Sequence, residues 1–287
     1  MMFWARTVER GIAMAASRSS SRGLAIATLA LCLAASAAGC AKKDTGQTTA
    51  GGVKLIKQGK LVTCTHLPYA PFQSKDASGK VVGFDVDMID LAAKKLGVTQ
   101  EIVDTPFEGI KSGQDLNAGK CDVAAAGMTI TDARKQVLDF SDPYFDATQA
   151  LLVPTGTSYK SLAELNGKRL GVQAATTGED YVKKQVTDQG LKVEIVSYRD
   201  LAAEQQALAT GQVKGAVNDL PVWSEYIKEN PGKFTVSAQF NTGEQYGFAV
   251  KKGGNPGLLK TINESIEAAK KDGTYDKIYE KWIGKTP

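Results

Sequence analysis

The sequence predicts an α/β fold with mostly parallel sheets, arranged as two lobes. Three observations predict it. Short apolar or β-branched runs alternate with longer stretches whose apolar residues recur at helical spacing. Several of those stretches stop at a glycine, as at Gly97, Gly119 and Gly211. Two short extended segments, 150–153 and the one around Tyr246, bracket a central block, and if both cross between lobes the outer lobe is built from two pieces of chain.

The elements follow in order. Residues 60–65 are a β-branched run, and the prolines of HLPYAPF at 66–72 place a loop behind that strand. Asp85 reads as the N-cap of a helix whose apolar positions run from Val86 to Leu96. Residues 101–103 read as a strand, and 107–118 as one helix ended by Gly119. The run 122–127 suits a buried parallel strand. Thr131 and Asp132 cap a helix that carries Arg134. Strands at 170–172, 194–196 and 215–217 then alternate with helices at 180–189, 201–210 and 222–228. A last strand at 246–250 precedes helices at 256–271 and 275–282, where Tyr275, Ile278 and Trp282 read as core.

The first 39 of the 287 residues read as an export signal rather than as fold. Arg6, Arg10, Arg18 and Arg22 precede an apolar run at 24–35, too short for the 20 or so residues that span a bilayer. The run ends in SAAGC at 36–40, which resembles a bacterial lipobox with Ala37 where leucine is usual. The resemblance implies that Cys40 receives a lipid and becomes the mature N-terminus. Residues 40–52 are polar and rich in Gly and Thr, the composition of a flexible tether. The expected lobes are then 53–151 with 246–287, and 152–245.

The net charge of +4 is largely a property of the leader. Four arginines and Glu9 leave with it, so 31 basic residues face 30 acidic ones in the remainder. No basic patch argues for nucleic acid, and no second apolar stretch argues for a membrane span. A single histidine excludes multi-histidine metal sites, and no glycine-rich phosphate loop is present, so neither metal nor cofactor is expected. Cys64 and Cys121 remain after the leader and the lipid site. An exported compartment permits them to pair, but spacing alone leaves the pairing open.

Four motifs in order carry a family resemblance: FDVD at 84–87, GMTITDAR at 127–134, FSDPY at 140–144 and DGTY at 272–275. Together they resemble the polar amino-acid substrate-binding proteins of ABC importers, over about residues 60–282. The resemblance implies a periplasmic-binding-protein-like fold: two α/β lobes joined by two hinge strands that close over a free amino acid. It implies a monomer, held at the outer face of the cell membrane by its lipid, that delivers its ligand to a membrane permease with a separate ATPase.

Carried over position by position, the resemblance puts Arg134 on the ligand's α-carboxylate, where a planar guanidinium binds in bidentate fashion. Gly127 and Thr129 supply further hydrogen bonds at a strand end. Thr176 and Thr177 hold the carboxylate from the opposite lobe, and Asp219, after Asn218, takes the α-ammonium. Tyr69 and Phe107 wall the side chain, and Gln173 touches its far end. His66 stands where many members of the family carry an acid, which disfavours a cationic side chain and favours glutamine or glutamate. Two other readings stay open. Relatives on this fold include dehydratases, for which Glu108 or Glu179 would move the proton, and a ligand sensor would need a separate receptor.

Overall fold

The structure is a computed structural model, and it describes residues 46–49 and 51–284. The expected signal segment and Cys40 lie outside the described residues. Gln47–Thr48 pair antiparallel with Lys54–Leu55, so the end of the expected tether takes part in a short ladder.

Two five-stranded sheets form the frame. The first is ordered Thr99–Asp104, Lys60–Thr65, Val123–Ala124, Ala249–Lys251 and Leu138–Phe140. The second is ordered Glu194–Tyr198, Arg169–Gln173, Gly215–Asp219, Phe145–Pro154 and Phe234–Tyr246. This is the two-lobed periplasmic-binding-protein fold that the motifs imply. In each sheet the strands joined by helices pair in parallel, as a helical crossover requires. The strands supplied by the passages between lobes pair antiparallel. The sheets are therefore mixed rather than mostly parallel, because periodicity reports crossovers and not returning chain.

Phe145–Pro154 and Phe234–Tyr246 form the hinge. They pair along their length, from Phe234 opposite Pro154 to Tyr246 opposite Phe145, with the register shifting between Phe240 and Glu244. Gln149 to Leu152 also pair with Asp219 to Ala216 in the second sheet. At the other end, Tyr246 bridges to Thr129 beside the first sheet. Of Phe234–Tyr246, only the last residue was expected as strand.

Three further expectations change. The helix expected at 107–118 is two short ones, Phe107–Lys111 and Gln114–Asn117, separated at Gly113, whose φ of 74° is left-handed. The helix of the FDVD motif begins at Phe84 with Gly83 as its cap, and Asp85 caps nothing. A Cβ on Gly83 would lie 2.0 Å from the carbonyl oxygen of Phe72, so only glycine fits. Cys64 and Cys121 form a disulfide inside the first lobe, with Cα atoms 5.6 Å apart.

The core runs through both lobes. Beneath the cleft, Phe72, Phe84, Phe145 and Tyr246 meet edge-on or stacked, with ring centroids 5.0–6.2 Å apart. Ile278 is buried as expected, and Trp282 donates its indole N–H to Asp87 at 2.7 Å.

Candidate functional site

The parallel strands of both sheets carry the candidate residues at their carboxyl ends, where ligands bind in open α/β sheets. His66 and Tyr69 follow Lys60–Thr65, Phe107 follows Thr99–Asp104, and Gly127, Thr129 and Arg134 follow Val123–Ala124. From the second sheet, Gln173 ends Arg169–Gln173, Thr176 and Thr177 open the next helix, and Asn218 and Asp219 end Gly215–Asp219. Ten of these eleven line one cavity, together with Gln73 and Ala126. Asn218 lies behind the wall and accepts the Tyr69 hydroxyl at 2.8 Å. A wider groove, lined by Pro71, Phe145, Pro221, Tyr279 and Trp282, contains none of the expected residues.

Arg134 is nearly buried, at 7% exposure. Thr131 caps its short helix by accepting the Arg134 amide, as the sequence indicated. The guanidinium donates to the Thr129 carbonyl at 2.8 Å and to the Ala175 carbonyl at 3.4 Å, and lies 5.4 Å from the Phe107 ring centroid. Those bonds engage two of its five N–H groups, so three donors remain. Burial lowers its pKa, opposed mainly by Glu244 and Asp180.

Ala175 has a φ of 72°, strained for a residue with a Cβ. Glu179 stabilises that turn by accepting the Ala175 amide at 2.7 Å. Glu179 also accepts from Ser197 and pairs with Lys183 at 2.8 Å, which accounts for its carboxylate as a support. Glu108 pairs with Lys111 and lies outside the cavity. Neither glutamate offered for proton transfer lines the site.

Asp219 is 5% exposed and accepts from Tyr69 at 2.6 Å, from Tyr246 and from Gln149. A carboxylate has about four lone-pair sites, which leaves one for a further donor. Burial, with the charge of Glu244 second, lifts its pKa from 3.8 to about 6, and the hydrogen bonds from Tyr246, Tyr69 and Gln149 oppose the rise. A cation placed beside it would reverse part of that rise.

Glu244 is the main residue that sequence reading missed. It accepts from Thr129 at 2.8 Å and from Thr177 at 2.9 Å, joining the two lobes. Its signal was weak, since it lies outside the motifs that carry the family resemblance. Thr176 caps its helix by accepting the Glu179 amide and donates to the Gln173 carbonyl at 2.7 Å. Gly127 has a φ of 55°, and a Cβ there would meet the Tyr69 ring at 3.0 Å, so glycine serves both conformation and close approach. Its amide donates to Asp85, which also accepts from Tyr144 at 2.6 Å. Burial raises Asp85 to a pKa of about 7 against those two bonds. Its role is to hold the strand end.

Glu204, fully buried behind Asn218, accepts the Asn218 amide at 2.8 Å. Burial lifts its pKa from 4.5 to about 8. The folded state therefore keeps a proton that the unfolded chain has released between those values, and stability falls as pH rises from about 4.5 to about 8. Glu204→Gln is expected to flatten that part of the curve of melting temperature against pH. An unchanged slope would mean that Glu204 does not carry it.

The family follows from comparison with known proteins. The profile of the bacterial extracellular solute-binding proteins, family 3, matches residues 61–285. The chain belongs to that family. It is 35% identical over 266 residues to a probable histidine-binding protein of Neisseria gonorrhoeae, covering 91% of this chain and 95% of that one. An ancestral arginine-binding protein bound to arginine superposes with a TM-score of 0.74 at 46% identity, covering 79% of this chain and 99% of that one. An ancestral arginine-binding protein bound to glutamine gives 0.73 at 45%, with the same coverage. Among the described residues, no helix of this solute-binding protein is long and apolar enough to cross a membrane, and no group of three or more His, Cys, Asp or Glu could hold a metal.

Proposed function

We propose that this protein captures a free polar L-amino acid between its lobes and delivers it to an ABC-type permease, with no chemistry on the ligand. One observation carries the reading. A buried guanidinium from the first lobe and a buried carboxylate from the second line the same cavity, each with hydrogen-bonding capacity left over. A zwitterion matches both ends: its carboxylate takes two of the remaining Arg134 donors in bidentate fashion, and its ammonium takes the remaining site on Asp219. Tyr69 and Phe107 border the side chain. Relatives named as histidine-, arginine- and glutamine-binding proteins support a ligand of this class.

The ligand bridges the lobes, so it shifts the population toward the closed form. Protein bonds already cross the gap in that form: Tyr69 to Asp219, Arg134 to the Ala175 carbonyl, and Thr129 and Thr177 to the shared Glu244. The permease then reads the closed shape. We further propose that the leader exports the chain and that Cys40 anchors it by a lipid, with residues beyond Cys40 as tether.

A melting screen of the purified, ligand-free protein against the twenty amino acids tests the reading. At ligand about 1,000 times its Kd, binding stabilises the fold by roughly 4 kcal/mol. A screen in which no amino acid raises the melting temperature refutes it.

A further inference from the structure

We infer that the bound amino acid ends in N–H donors, as a primary amide, guanidinium or imidazole does, and that His66 and Gln73 select it. The inference rests on the amino-acid-binding reading and narrows it by excluding acidic side chains.

His66 and Gln73 border the same cavity, and each presents a buried acceptor with no partner among the described residues. The Nδ1 of His66 lies 3.0 Å from the carbonyl oxygen of Thr105. A carbonyl only accepts, so Nδ1 holds the ring's proton and Nε2 of the neutral ring is an acceptor. That Nε2 is buried and unpaired. Gln73 is 1% exposed, and its amide N–H donates to the His66 carbonyl at 3.3 Å. This contact fixes which end of the amide is which, and leaves Oε1 as the second buried, unpaired acceptor.

Unpaired buried acceptors are uncommon, because each forfeits its bonds to water without replacement. Two such acceptors, on residues that line the same cavity, match a ligand group that donates twice. A primary amide does so through its NH₂, and its oxygen accepts from Gln173, whose own oxygen accepts from Asn218 at 3.4 Å. A guanidinium also donates at least twice, and an imidazole once or, when protonated, twice. An ionised carboxylate has no proton to give, and would set its oxygens against both acceptors.

Calorimetric titration of the ligand-free protein with glutamine, arginine, histidine, glutamate and aspartate tests the inference. The tightest ligand is expected to carry N–H donors, with glutamate about a hundredfold weaker or worse, since a site built to accept from a donor rejects an analogue that lacks it. Gln73→Leu should shrink that ratio toward unity by removing one acceptor. Gln73→Glu keeps the acceptor and adds charge, so it should reject glutamate more strongly than the parent does, which covers the case of Gln73→Leu failing to fold. Glutamate or aspartate as the tightest ligand overturns the inference and leaves amino-acid capture standing. So does an unchanged ratio in both variants. Loss of binding for every amino acid overturns the underlying reading as well.

Discussion

Replacing Arg134 with alanine is expected to abolish most of the ligand-induced rise in melting temperature, whichever amino acid produces it. The group removed is buried, and it is the positive partner proposed for the α-carboxylate, one of the two charged groups all amino acids share. Truncating one member of a buried, hydrogen-bonded charge pair costs about 2–5 kcal/mol, much of it from the charge left unpaired. Taking about 3 kcal/mol, Kd rises roughly 160-fold, and a ligand dose worth about 4 kcal/mol to the parent is worth about 1.2 kcal/mol to the variant. For a folded part of this size that is a fall from a rise of roughly 8–16 °C to one of a few degrees. Arg134→Lys should recover only part of the loss, because an ammonium keeps the charge without the planar fork. A full thermal shift surviving in Arg134→Ala would remove the carboxylate assignment.

The second large effect concerns the fold rather than the ligand. Replacing Cys64 and Cys121 together by alanine is expected to destabilise the protein by about 4 kcal/mol, because the bridge closes a loop of 57 residues in the unfolded chain. Both cysteines are buried in the first lobe, so alanine is preferable to serine, whose hydroxyl would need a partner. The melting temperature should fall by roughly 8–16 °C, with affinity nearly unchanged since neither side chain lines the cavity. A matched melting temperature for parent and double variant, under oxidising conditions, would show that the bridge is not formed in the protein.

These two expectations draw on different levels of organisation. The family resemblance named most of the residues that line the cavity, because the motifs that carry it are local. Gly127, Thr129 and Arg134 lie within eight residues at one strand end, with Thr131 capping the turn that presents Arg134. Thr176 and Thr177 open a helix directly after a strand, and Asp219 ends one. Strand–helix alternation gave the layers for the same reason: periodicity is a property of neighbouring residues.

Expectations that depended on distant partners changed. Asp85 stands at a helix start, where an acidic residue ordinarily caps, yet it serves Gly127 from 42 positions away. Glu244 stands ahead of the strand expected to begin at Tyr246, but the hinge strand runs through it and aims its carboxylate between Thr129 and Thr177. The split of 107–118 at Gly113 exchanged one helix for two, since a left-handed residue ends the run of i to i−4 bonds.

By itself, then, the sequence determined the α/β layers, and through its family resemblance it named the strand-end residues that line one cavity and the charged pair proposed to hold a zwitterion. Only the tertiary structure decided the mixed sheets, the Cys64–Cys121 bridge, the buried Glu204 behind Asn218, and the two acceptors of His66 and Gln73 that have no partner among the described residues. The physical reason is distance along the chain. Tyr69 and Asp219 are 150 positions apart, and whether a buried atom is satisfied depends on everything folded against it.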